Sequence, residues 1–138
     1  MLEELARVHE SLLAVLDELD ALTGAASPDE TAVASARARL GRLSGQRRRM
    51  FDAACNRLSE DASPHVLQRI KTLRELNAAQ LAASTTHIGA WGLKQLVEDW
   101  HGYVRTAAPM RQSMRDLIAA DREILFPMLR SAGTGGAP

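Results

Sequence analysis

Four histidines, one cysteine and scattered carboxylates are the side chains of this 138-residue chain with chemistry to offer. Two of them stand out by position. His9 lies on the apolar repeat of "LARVHESLLAVLDEL", and Asp121 lies in "LIAADREILFPML", about one turn before an aromatic-proline stop. An imidazole and a carboxylate brought together inside a helical protein could ligate a transition metal or hydrogen-bond each other. The other candidates are weaker. His87 falls about 15 Å along its helix from the level of His9, too far to share an ion, and His65 and His101 belong to helix ends. Cys55 sits beside the inward-facing Ala54 with no base near it by periodicity, which reads as a buried, inert thiol. No nucleophile is paired with a base and no loop could cradle a phosphate, so the expectation is a non-enzymatic protein.

The elements that must position His9 and Asp121 are helices. Leu2, Leu5, His9, Leu12, Leu16 and Leu19 step by three and four, the seam of an amphipathic helix that Gly24 ends. Ser27-Pro28-Asp29-Glu30 is a restart signal with Ser27 as the expected cap, opening a second helix to about residue 61. Its inward positions are Val33, Ala36, Leu40, Leu43, Met50, Ala54 and Leu58. Ser63-Pro64 opens a third, with a stripe of Val66 or Leu67, Ile70, Leu73, Leu76 or Asn77, Leu81, Ser84, Ile88 and Trp91. The glycine-bearing stretch 89–103 predicts a turn or short helical piece. A last helix then runs to about 130, with Pro109 near its first turn or kinking it, and Pro127 disrupting its end. Short connections make the first three helices antiparallel neighbours. The expectation is an all-α, up-down-up-down four-helix bundle over residues 1–131, with a flexible tail at 132–138.

Equal axial distances measured from the turns place one layer through the bundle at His9. It should contain Gln46 with Met50 a turn away, Leu73 or Leu76 with Asn77, and Leu117 with Asp121. The expected polar core layer is therefore His9, Gln46, Asn77 and Asp121. Of these only His9 and Asp121 are metal-ligand types, because amides and thioethers are poor ligands for iron in oxygen chemistry.

On these residues the chain resembles the hemerythrin-like (HHE cation-binding) family in its bacterial single-domain form. The resemblance covers about residues 2–130. It rests on "LARVHESLLAVLDEL", on the Trp91…Trp100-x-x-Tyr103 spacing, and on the closing "LFPML". It implies a four-helix bundle around a di-iron centre. Matched on the aromatic-proline stops, the family's His-x-x-x-Glu pairs fall on Gln46 and Met50 in the second helix, and on Leu117 and Asp121 in the last. His9 matches the ligand of the first helix. The resemblance thus implies a degenerate member in which His9 and Asp121 are vestigial metal positions, with no cofactor bound.

Composition narrows the rest. Formal net charge is zero, yet residues 1–30 carry eight acids against Arg7, and residues 37–57 carry seven arginines against Asp52. Without aromatic or glycine interleaving, the basic run reads as a face complementary to the acidic first helix rather than a nucleic-acid surface. No apolar run spans a membrane, the N-terminus is unlike a signal peptide, and a lone cysteine permits no internal disulfide. The expectation is a cytoplasmic monomer or homodimer acting as a regulatory or protein-interaction module on an unknown protein partner. Two alternatives stand beside it: an iron-binding oxygen or redox sensor or carrier using His9 and Asp121, and a helical assembly or export chaperone, marked by an exposed apolar groove.

Overall fold

The structure is a computed structural model that describes residues 1–135, and all its regular elements are helical. They are α1 (Leu2–Thr23), α2 (Glu30–Ser59), α3 (Pro64–Ala90), α4 (Leu93–Glu98) and α5 (Trp100–Ala120), then a π-helical turn (Asp121–Leu125) and α6 (Phe126–Gly135). The long helices are thus joined by a fifth, short helix at the α3–α5 corner. No helix among the described residues is long and apolar enough to cross a membrane.

Side-chain pairs give the directions. Glu18 meets Arg39, while His9, nearer the start of α1, shares its layer with Arg47, further along α2. The same reversal relates α2 to α3, where Arg47 meets Asn77 and Arg37 meets Trp91, and α1 to α5, where Asp20 meets Arg111. Each neighbouring pair is antiparallel. The core is formed at one end by Leu5, Phe51, Ala54, Cys55, Ile70, Leu73 and Leu125. Leu12, Leu16 and Ile118 fill the middle, and Val33, Leu96, Trp100 and Tyr103 close the other end.

Several expectations are corrected. α2 is capped by Asp29, whose Oδ1 accepts from the Ala32 N–H at 3.1 Å, not by Ser27. Both are capping residue types, and the carboxylate is the one three positions before a free amide. Ser63 caps α3 as expected, accepting from the Val66 N–H. The α3 stripe holds in its first half, where Ile70 and Leu73 are buried and Val66 and Asn77, rather than Leu67 and Leu76, turn inward; beyond it Leu81 and Ile88 are exposed. The second half of α3 touches α5 through His87 and Tyr103, but its apolar side chains face a cavity and solvent.

The aromatic-proline pair does not stop the last helix. Pro127 lacks an N–H, and in an α-helix its ring would press on the carbonyl of Glu123. Glu123 lies inside the π turn, where the wider winding passes that carbonyl by and α6 continues to Gly135. The expected flexible tail is therefore helical as far as it is described, and residues 136–138 lie outside the described residues. Pro109 lies inside α5, which begins at Trp100 on a cap from Asp99 to the Gly102 N–H. A Cβ at Gly102 would collide with that Asp99 carboxylate, so glycine is what lets the cap close.

Candidate functional site

α1 buries His9 completely because it occupies a seam position between Leu5 and Leu12. Its Nε2 lies 2.9 Å from Asp121 Oδ2, also fully buried, across 112 residues of chain. A carboxylate only accepts, so the imidazole proton is on Nε2. The ring is held flat against Phe126, with centroids 5.3 Å apart and planes within 6°.

Asp121 and Phe126, which grip His9 from two sides, are joined by the π turn. In an α-helix, residues five apart point roughly 140° away from each other at 3.6 residues per turn. Here the Phe126 N–H bonds to the Asp121 carbonyl, the i→i+5 closure that brings both side chains over one face. The helix irregularity is therefore what builds the histidine's socket.

The second helix contributes Arg47. Its Nε donates to Asp121 Oδ2 at 3.0 Å, and Nη2 lies 2.8 Å from the same oxygen, an ionic contact poorly directed for a hydrogen bond. Nη1 donates to Asn77 Oδ1 at 2.8 Å, and Asn77 Nδ2 donates to the Leu73 carbonyl on α3. The guanidinium, 3% exposed as a residue, lies near the Phe51 ring at 5.5 Å. One carboxylate oxygen thus accepts from an imidazole and a guanidinium, and the chain of contacts ties α1, α2, α3 and the π turn together.

Of the expected layer His9, Gln46, Asn77 and Asp121, three residues meet and Gln46 does not. Gln46 is half-buried and Arg47 takes its place. One residue is about 100° of rotation on a helix, enough to exchange a core position for a flank. The signal for Arg47 was available: a carboxylate on a core seam needs a positive partner or several donors. Position 47 also continues the rhythm through Phe51 and Ala54. Met50, Leu58 and Leu43 only flank the cores they were expected to fill.

Whether a di-iron centre fits this layer is decided by its donors. Among the described residues no three His, Cys, Asp or Glu side chains cluster as a metal site. A guanidinium stands against the one available carboxylate, where it would repel a divalent cation at Oδ2. Asp121 Oδ1 and His9 Nδ1 are buried without a hydrogen-bond partner among the described residues, but two donors fall short of the three protein ligands that metal sites use. The residues do not fit the group.

His87 and His101 are far from this layer. His87 stacks on Tyr103 at 5.9 Å, and burial, then Arg37 and Arg111, push its pKa down. Burial pushes the Cys55 thiol up to about 11, which keeps it protonated and unreactive near neutrality. Among the described residues, the acidic face of α1 forms one ion pair with α2, between Glu18 and Arg39. Its stronger partner is α5, where Arg111 and Arg115 both bind Asp20 at 2.6 Å and Arg115 also reaches Asp17.

Comparison with known proteins finds no family model, no curated protein and no solved structure that matches this chain.

Proposed function

We propose that the chain is a four-helix bundle of hemerythrin-like type in which a guanidinium replaces the metal, serving as a small non-enzymatic regulatory or interaction module. The observation that carries this reading is Arg47. Its positive charge sits 2.8 Å and 3.0 Å from the carboxylate at the expected ligand position of the last helix, with His9 on the same oxygen. A buried carboxylate needs compensation, and a covalently attached cation supplies it without an ion. The antiparallel order of α1, α2, α3 and α5 supports the bundle, with α4 as an elaboration of the third connection. No side chain in the layer is poised as a nucleophile or a proton shuttle. With His9, Asp121 and Arg47 committed to one another in the interior, this reading places activity at the surface and in the space beside α3.

The test is metal content. Protein purified without chelator or metal-affinity resin is expected to carry iron, manganese and zinc well below one atom per chain, and to melt cooperatively and identically with and without EDTA. Two irons per chain with an oxo-bridge absorption band would overturn this reading and favour an oxygen or redox sensor.

A further inference from the structure

Beside the second half of α3 a cavity of about 300 Å³ remains between α1, α2, α3 and α5. Its body is apolar, walled by Leu16, Leu40, Leu81, Ile88, Met110 and Met114. The cavity communicates with solvent, since Leu81 and Ile88 on its α3 wall are 43% and 58% exposed. Leucine and methionine side chains left beside an open space of this size are what small-molecule sites are made of, and methionine adapts to varied shapes.

Among neutral polar groups (Ser44, Gln80, Ser84, Thr85, Tyr103), the charged groups on the wall are all of one sign. Arg37, Arg48 and Arg111 line the cavity, and no carboxylate does. Arg111 is compensated from behind by Asp20. Arg37 and Arg48 have no carboxylate partner among the described residues: Arg37 donates to the Trp91 carbonyl and lies over Tyr103, and Arg48 makes no hydrogen bond or ion pair. The field here is positive; burial is the first cause of the lowered pKa of His87 on the same wall, and Arg37 and Arg111 add to it. Arginine in this setting favours a planar, singly charged oxyanion.

We propose that this cavity is a binding site for a small amphipathic carboxylate, its apolar body among Met110, Met114 and Leu81 and its charged end at Arg48. An apolar cavity of about 150 Å³ holds a benzene, so twice that volume suits a body of about ten to twelve carbons. The site shares no residue with the His9 layer, so it stands whether or not the metal reading does.

The experiment titrates the full-length protein, labelled at the methionine methyls, with decanoate below its micelle concentration and with decanol as the uncharged control. Saturable one-to-one binding is expected, with shifts at Met110 and Met114 and none at Met128, which belongs to the other end of the core. Decanol and the variant Arg48→Gln should each lose about tenfold in affinity, as loss of a charged hydrogen bond implies. Gly41 also lines the cavity, and a Cβ there meets nothing within 4 Å. Gly41→Leu is therefore expected to fill the space and abolish binding while melting at the same or a higher temperature, since it also improves helix propensity. The proposal is overturned if Met110 and Met114 do not respond, if decanol binds as well as decanoate, or if Gly41→Leu binds unchanged. It is equally overturned if those methyls shift with protein concentration instead, which would make a second copy of the chain the occupant.

Discussion

Asp121 accepts from His9 and from Arg47 on a single oxygen, so a change at either charged residue is felt by the other. Asp121→Asn keeps the shape but leaves the Arg47 guanidinium buried without its counter-charge. It is expected to cost about 3–5 kcal/mol, the usual result of breaking a buried pair from one side. Arg47→Met should also destabilise, by stranding the carboxylate. The double variant restores neutrality, and its cost should fall short of the sum of the two single costs by about 0.5–3 kcal/mol. Urea unfolding of the four proteins measures this directly; strict additivity would mean that the two groups do not interact. His9, Asn77 and Asp121 were legible in the sequence because helical rhythm and axial counting locate a polar residue on a seam. Arg47 was passed over because it stands in a run of arginines at 47–49 whose members differ only in rotation about the helix axis, and only its step to Phe51 and Ala54 singles it out. Deciding which of three consecutive arginines turns inward needs the register of α2 to a single residue, and axial counting is good only to a turn.

At the scale of elements, the π turn is the least predictable feature and the one with the clearest job. It lets the helix carry a proline, and it sets Asp121 and Phe126 on either side of His9. The sequence suggested an end at Phe126-Pro127 because proline in an α-helix removes a bond and clashes one turn back. A wider turn resolves both problems, and nothing local in "DREIL" announces it. Deleting the exposed Glu123 would restore α-helical winding with Phe126 four residues after Asp121 and still over the same face, but Pro127 would then lie in ordinary α-helix and press on the carbonyl one turn back. The deletion is expected to lose about 3 kcal/mol or more through that proline clash, whereas Glu123→Ala should stay within about 0.5 kcal/mol of the parent. Chemical denaturation of the two variants distinguishes them, and equal stability would show that the turn is dispensable. The caps at Ser63 and the seams of α1 and early α3 were read correctly because they depend on neighbours in sequence. The outer half of α3 was misread because its leucines and isoleucine keep a helical rhythm while facing a cavity and solvent instead of a packed neighbour.

For the molecule as a whole, opposite charges join the helices at the rim as apolar contacts join them inside. Burial opposes ionisation of Asp20, yet hydrogen bonds from Arg111 and Arg115 outweigh it and hold the carboxyl below its usual 3.8. The Arg39 fork lowers Glu18 below its usual 4.5. Groups whose pKa falls on folding contribute stability above their unfolded values and lose it as pH falls through the folded ones. Urea midpoints are therefore expected to hold from about pH 7 to about pH 5 and to drop below about pH 4, with Asp20→Asn lowering the plateau and flattening the drop. An unchanged acid limb in Asp20→Asn would place the acid sensitivity elsewhere. The guanidinium at the centre has a different consequence. When an ion that can leave balances a buried charge, stability carries a mass-action dependence on the free concentration of that ion. Arg47 is tethered to the chain whose charge it balances, so that dependence vanishes at this carboxylate. If Arg47 is the whole of the compensation, the charge balance at Asp121 is indifferent to the free concentration of any metal.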